Sequence, residues 1–563
     1  SKYVYLSDLA LDTTHQSSVG WGSLLFDQTS SGGKITERYE GNVITFDKGI
    51  WAHASSNVYY NLEEVGIEGE YDYLTAYAGL NTTAASSSNG VIFWVYGSTD
   101  GTKWDVLYNE ESKVTRPGTN ADFVKVNIKP YKYLRLQADA NGSNGNDHAV
   151  WGDARLVKEG YNASVVPAAS DFDAYFQQMG MIDPGTNSEY EQALLRRSLI
   201  KKVGQYTLTQ FVRESETKRQ TLEWLYDNLD ILRWYIMGGA PVGNNYRNSL
   251  DVLARLYEVY RADFANNTVT ENGVRLSDLY ARMMISEALV YSGSVTSWIG
   301  GGQYSDPVKR YEVFKMLHEE GRLDRKVFES LEIEEMRWVL DTMTTDDEVN
   351  WLNYYSKKEK SSDPYHYIRY TFGYKYGSEQ YYSEENRAKW DEKYNLAEYN
   401  VEYGVAGKPK LWIVFEEGSV CGGLSKTGTN IWNTWGYPAS VIGQPGHAAY
   451  LYYVQDDSGR GKWGIGNNIS GWTRSEKGER LPLGWGSNSW DSYYQVSYVP
   501  YAQAALNDVD NLVKAEVTLL LLDVYNGNYN KQEEVYRRAL SYQNINMDAW
   551  YGLIQLYNSN ASK

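Results

Sequence analysis

GSVCGGLSKTGTNIWNTWGYPASVIGQPGHAAYLYYVQDDSGRGKWGIGNNISGW, residues 418–472, decides how this chain is read. It holds the only cysteine, Cys421, and 26 residues later a histidine, His447, behind a turn. Cys421 opens a run of helical length that ends at Trp435-Gly436, so its sulfur is expected at a helix N-terminus, where unpaired N–H groups favour the thiolate. Residues 447–454 and 462–467 read as two strands joined by the turn-rich DDSGRG, which predicts an antiparallel hairpin. Folded about Asp457, that hairpin sets His447 and Asn467 ten residues to either side, where they meet across the ladder. The expected chemistry is a Cys-His-Asn arrangement. His447 takes the thiol proton, Asn467 fixes the imidazole tautomer, and the first amides of the helix stabilise an oxyanion, which together perform acyl transfer.

These residues resemble the transglutaminase-like branch of the papain-like thiol enzymes. The resemblance is carried by Cys421, by Gly436-Tyr437-Pro438-Ala439, by Gly446-His447, and by Trp463 followed by Asn467, and it covers roughly residues 401–475. It implies an α+β core acting on an amide of a glycoprotein or cell-wall peptide, by hydrolysis or by transglutamination. Two departures stand out. Asn467 takes the place usually held by Asp in that family, as in papain-like relatives, and the stretch WIVFEEGSV before the cysteine holds no Gln to supply a second oxyanion donor. A lone cysteine more commonly fills an apolar core, so the competing expectation is a core that has lost its chemistry.

At 563 residues the chain is too long for a single core and is expected to hold three or four domains. A content of 42% hydrophobic and 22% charged residues is that of a globular protein, and the net charge of −18 with no basic cluster argues against nucleic acid as a partner. One cysteine forbids an internal disulfide, which leaves the compartment open because a secreted bacterial protein can lack disulfides. The longest apolar run, near Leu519–Leu522, is far below the ~18–20 residues of a membrane span, and no such span is expected. The chain begins SKYVYLSDLA, with neither an initiator methionine nor a signal-like run, as expected of a processed or trimmed chain. Aromatic residues make up 15%, a level that suits sugar handling, although most such rings fill cores.

Residues 1–159 predict a β-sandwich of jelly-roll type, from apolar or alternating runs such as NVITF, YDYLTAYAGL, GVIFWVYGS, ADFVKVNI and YKYLRLQADA separated by turn signals. This segment resembles the NPCBM family, also called carbohydrate-binding module family 51. The matching residues are Tyr5-Leu6-Ser7-Asp8, Gly20-Trp21-Gly22, the run from Lys48 through Ser55, Val95-Tyr96 before Asp100-Gly101, Asp147, and Trp151 through Ala154. The resemblance implies recognition of terminal galactose-type sugars on glycans, together with a structural calcium. A sugar site needs an aromatic face for ring C–H groups and fixed polar groups for hydroxyls, and Trp21, Trp51, His53, Trp151 and Asp153 are the candidates. His53 serves equally as a structural hydrogen-bonding residue. The oxygen-rich DANGSNGND, 139–147, suits calcium, although a solvated turn explains it as well.

Residues 160–168 read as a linker, and 170–399 as a helical region. There Leu250, Leu253, Leu256, Tyr257 and Tyr260 share a helix face, and Asp306-Pro307 is an N-cap followed by proline at the first helical position. The Gly300-Gly301-Gly302 loop lacks the ending of a phosphate-binding loop. His318 and His366 have no partner at metal-ligand spacing, so no catalytic metal is expected and no cofactor is required. Glu416 and Glu417, taken as strand neighbours, point to opposite faces and cannot form a glycosidase pair. Residues 400–495 form the thiol core, and 496–563 resemble a tetratricopeptide-type helical segment, with Tyr529, Tyr536 and Ala539 on one helix and Trp550, Leu553 and Tyr557 on the next. The expectation is a secreted or cell-surface bacterial enzyme in which a glycan-binding module targets a thiol core. The alternatives are a carbohydrate-binding adhesin with a degenerate core and a glycoside hydrolase with an accessory module.

Overall fold

A computed structural model describes residues 2–159, 166–292, 305–371, 383–401, 411–444, 446–459, 461–467, 504–505 and 507–560. The Gly300-Gly301-Gly302 loop, most of the expected linker, the end of the thiol segment beyond Asn467, and residues 496–503 lie outside the described residues. The chain divides into two compact units, Ser1–Val166 and Pro167–Lys563. The segments 170–399, 400–495 and 496–563 thus fall together in the second unit.

The first unit is two facing antiparallel sheets with a separate two-stranded hairpin, Ile35–Tyr39 paired with Asn42–Phe46. One orders the strands Asp122–Asn127, Tyr73–Leu80, Ala149–Val157, Gly49–Trp51 and Leu25–Phe26, with Tyr3–Tyr5 also pairing to Ala149–Val157. The other orders Val114–Thr115, Val91–Ser98, Tyr133–Asp139 and Ser56–Asn61, with Asp105–Tyr108 added to Val91–Ser98. Alternation sets the core: Leu134, Leu136 and Ala138 are buried while their strand neighbours are only part-buried, as the two-residue period of a half-covered strand requires. Ala149–Val157 is buried throughout. Leu74, Ala76 and Trp151 of one sheet pack with Val58, Phe93 and Leu136 of the other, and the Phe93 and Trp151 rings meet edge-on at 5.3 Å.

Among its described residues, the second unit is helical apart from one small sheet. The expected face of Tyr246–Tyr260 is present, with Leu250, Leu253 and Leu256 fully buried. Asp306 caps the helix that starts at Pro307, its carboxylate accepting from Val308 N and Lys309 N. LWIVFEE corrects the expectation of a strand: Leu411–Glu417 is a helix, with Leu411 through Phe415 all buried. A continuous apolar run does not distinguish a buried strand from a buried helix. Glu416 there accepts from Lys393 and Tyr394, in a structural role.

Cys421–Thr434 is a helix ending at Gly436, whose φ of 91° suits glycine. It packs on the antiparallel sheet Ala439–Gln444, His447–Gln455 and Gly461–Gly466. Glycines govern that packing. A Cβ on Gly428 would stand 2.6 Å from the Tyr450 ring, and one on Gly464 would stand 2.6 Å from the Tyr452 ring, so the rings lie directly over bare backbone. Trp432 of the helix stacks on Tyr452 at 4.7 Å, nearly parallel. Asn430 and Asn433 tie the helix to the preceding segment, Asn430 accepting from Thr342 and Met343 N and Asn433 donating to Trp338 O.

In the C-terminal segment, Tyr529–Tyr542 and Met547–Ser559 are helices with Ala539 and Leu553 buried, whereas Trp550 is 43% and Tyr557 37% exposed.

Candidate functional site

Cys421 is the first residue of its helix, is part exposed, and follows Val420, whose side chain offers no cap. No side chain at the N-cap therefore covers the first-turn amides, and among the described residues a Cβ on Gly422 would meet nothing within 4 Å. Upstream, the segment before the thiol is held by main-chain bonds: Thr371 N donates to Ser419 O at 2.9 Å and Ser419 N to Arg369 O at 2.9 Å. This pairing brings the short 3-10 turn Pro364–His366 beside the helix start.

His447 and Asn467 come together, but not in the expected manner. The pairing Gln455↔Gly461 through Tyr450↔Gly466 centres the hairpin on residue 458, one residue beyond the expected Asp457, and His447 pairs with Gln444 on the other side. The strand ends at Gly466, and Asn467 takes a left-handed φ of 52°, which asparagine tolerates better than most residues. The turn directs its main-chain carbonyl at the imidazole: His447 Nε2 lies 2.6 Å from Asn467 O. A carbonyl only accepts, so Nε2 carries the proton and Nδ1 is left as the basic nitrogen. The expected contact from the Asn467 side chain to the ring is thus corrected to a main-chain contact.

The side chain of Asn467 does other work. Its Nδ2 donates to Ser425 Oγ at 2.9 Å and Ala448 O at 3.1 Å, and reaches Cys421 O at 3.4 Å. Its Oδ1 accepts from Tyr365 OH at 2.8 Å. Ser425 Oγ in turn donates to Ala448 O at 2.8 Å. Among the described residues, the Cys421 sulfur makes no hydrogen bond to the His447 ring. Tyr365 and Ser425 were missed from sequence. Ser425 follows Cys421 by one helical turn, which was a usable signal, whereas nothing local marks Tyr365. Tyr365 is 52% exposed, and burial, then Tyr370, Asp363 and Cys421, push its phenol pKa above the ordinary range.

On the first unit the candidates separate. Trp51 and Trp151 are 1% and 0% exposed. Trp151 turns into the core to meet Phe93, whereas Trp51 pairs with Val150 and so lies on the opposite face of the sheet, its buried ring 5.2 Å from His148. Asp153 sits at a register shift of the Ala149–Val157 strand and forms a buried ion pair with Arg155, 2.6 Å apart. Trp21 and His53 do meet, at 5.7 Å, with Trp21 60% exposed. Gly20 makes this possible: its N donates to His53 O at 2.9 Å, and any Cβ there would strike the main chain at Ala54. His53 Nδ1 donates to Ala54 O at 2.9 Å, leaving Nε2 as an acceptor. Around it stand His148, with ring centroids 5.6 Å apart, and Asp147. Asp147 Oδ1 accepts from Ser88 at 2.6 Å, and its buried Oδ2 has no partner among the described residues. Burial raises the Asp147 pKa and lowers that of His148. An aromatic face beside fixed polar atoms is the chemistry of a sugar site. In the loop 139–147, Asp139 is taken up by Asn141 N and Asp147 by Ser88. Among the described residues no three carboxylate, imidazole or thiol groups gather to hold a metal ion, and no helix is long and apolar enough to cross a membrane.

A β-sandwich presenting an indole over buried polar groups defines a class of ligand-binding module, and the comparisons place it. Residues 2–157 match the NPCBM/NEW2 domain, and the first unit is an NPCBM domain. The CBM51 module of a Clostridium perfringens GH95 protein, solved with methyl-galactose, is 33% identical over 28% of this chain and 99% of that chain, with a TM-score of 0.24. The M60 catalytic domain with two CBM51 domains of Clostridium perfringens ZmpB is 35% identical over 28% of this chain and 15% of that chain, with a TM-score of 0.24. The tandem CBM51 modules of a family 98 glycoside hydrolase from Streptococcus pneumoniae are 23% identical over 28% of this chain and 47% of that chain, again with a TM-score of 0.24. The comparison with curated proteins returned no match.

Proposed function

We propose that this is a cell-surface or secreted bacterial protein whose NPCBM domain binds glycans bearing terminal galactose-type sugars and whose second unit performs thiol-based acyl transfer. Glycan binding is supported by the family of residues 2–157 and by the galactose ligand of the C. perfringens module. The observation that carries the acyl-transfer reading is the 2.6 Å contact between His447 Nε2 and Asn467 O, which fixes the tautomer with Nδ1 free to accept a proton.

In that reading His447 Nδ1 takes the Cys421 thiol proton and the thiolate attacks an amide carbonyl. The oxyanion meets the uncapped amides of the helix start. The imidazolium then gives its proton to the leaving amine, and water or a second amine resolves the thioester. The substrate is an amide of a glycoprotein or cell-wall peptide brought close by the sugar module. Iodoacetamide modifies Cys421 in the folded full-length protein, and His447→Ala slows that reaction at least tenfold. Release of a carboxylate marks hydrolysis, and incorporation of an added amine marks transglutamination. Alkylation at the same free-thiol rate in both proteins would overturn the reading.

The second reading is a carbohydrate-binding adhesin with an inert core. It is favoured by the family match, which ends at residue 157. A glycan array with the Cys421→Ala protein leaves sugar binding intact under either reading, so alkylation chemistry separates them.

A further inference from the structure

Around Asn467 three elements converge on one amide. Its Oδ1 receives the Tyr365 hydroxyl from the Pro364–His366 turn at 2.8 Å. Its Nδ2 faces Ser425 Oγ and Cys421 O of the thiol helix and Ala448 O of the imidazole strand, at 2.9, 3.4 and 3.1 Å. The orientation of the amide is determined by chemistry. The Ser425 hydroxyl spends its proton on Ala448 O, so its lone pairs must accept from an N–H; two main-chain carbonyls on the same side also demand a donor; and among the described residues the phenol on the far side supplies the proton that Oδ1 accepts. A flipped amide would set its oxygen against two carbonyl oxygens. With the side chain locked at both ends, the main-chain carbonyl of the same residue is aimed at His447 Nε2, 2.6 Å away.

The geometry assigns Tyr365 and Ser425 as positioning residues that act through Asn467: together they clamp its amide, and the clamp holds the carbonyl that fixes the proton of His447 on Nε2. This rests on the thiol reading above. The consequence is that a hydroxyl on a turn 56 residues before the cysteine tunes the basicity presented to the sulfur without touching the imidazole. Tyr365 suits the task because its hydroxyl proton has one acceptor among the described residues, and because the raised pKa keeps it protonated as a donor.

The chain has one cysteine, so alkylation of the full-length protein by iodoacetamide, followed by intact mass, reports this site alone. The wild-type protein is expected to be alkylated near pH 6.5 faster than a free thiol. Tyr365→Phe slows that alkylation about three- to tenfold, Ser425→Ala does the same, and Ser425→Thr, which keeps the hydroxyl, stays close to wild type. Because both act through one amide, the double variant is no slower than the slower single variant. In a His447→Ala background Tyr365→Phe has no further effect. Near-ultraviolet circular dichroism confirms that each variant is folded. A Tyr365→Phe rate equal to that of wild type, single effects that multiply, or an undiminished Tyr365→Phe effect without His447 each overturn the clamp. A wild-type rate equal to that of a free thiol, unmoved by His447→Ala, overturns the thiol reading itself and the clamp with it, and is seen before any Tyr365 variant is made.

Discussion

Asn467 shows how one residue serves two roles with different atoms. Its carbonyl accepts from the imidazole while its amide joins helix, strand and turn. Substitutions therefore separate the two. Asn467→Ala keeps the carbonyl and loses the clamp. Asn467→Asp does more harm, because it places a carboxylate oxygen against Ala448 O and Cys421 O, both within 3.4 Å of the present Nδ2. Thermal denaturation at pH 8 is expected to show the Asp variant about 1–2 kcal/mol less stable than the Ala variant. The gap should close on acidification, since an Asp whose folded pKa is raised contributes its stability at low pH and loses it as pH rises. A gap independent of pH would refute the assigned amide orientation. On the sugar side, Trp21→Ala abolishes glycan-array signal, whereas Trp151→Phe changes stability and leaves specificity alone, because only Trp21 faces solvent. Equal loss of sugar binding in both variants would move the site elsewhere.

At the scale of elements, the thiol helix and its sheet fit through glycine. Gly428→Ala drives a Cβ to 2.6 Å from the Tyr450 ring and is expected to cost about 1–3 kcal/mol, read by chemical denaturation, although alanine is the better helix former. A neutral or stabilising outcome would refute the close packing. A second lever is the buried Glu335, on the Ile333–Leu340 helix, whose pKa burial pushes up to about 7. The folded value exceeds the unfolded one, so its contribution is fully present below about pH 4.3 and is lost as pH rises through 7. Wild type is therefore expected to lose up to roughly 3 kcal/mol between pH 5 and pH 8 through this group, and Glu335→Gln flattens that slope. An unchanged slope in the variant would show that another group carries it. Local signals made several elements legible. Asp306-Pro307 and the helix opening at Cys421 are written in neighbouring residues, and so is the strand at His447. LWIVFEE was not, because an apolar run without period fits either element. The role of Asn467 depended on a one-residue shift of the hairpin centre and a left-handed turn, and Tyr365 on main-chain pairing of Ser419 with distant residues.

For the whole molecule, the family resemblance in the first 157 residues gave the sandwich, while burial decided which of its tryptophans remain available to a ligand. Trp21, Trp51 and Trp151 look alike in sequence, and only their burial and the sheet face each one occupies separate them. The division into two units leads to a further expectation. Substitutions at Trp21 or His53 leave the iodoacetamide rate of Cys421 unchanged within about twofold, and Cys421→Ala leaves glycan affinity unchanged, because sites without shared partners combine additively. Cross-effects larger than this, measured by alkylation and by glycan titration, would show energetic coupling between the units. The stack of Trp432 on Tyr452, 4.7 Å apart and within 5° of parallel, joins the helix that carries the sulfur to the strand that carries the imidazole. Two chromophores so aligned exchange excitation and lend the core a chiral optical signature, so the protein contains its own gauge: loss of that dichroic band on acylation or mutation would register a parting of sulfur and base with no label attached.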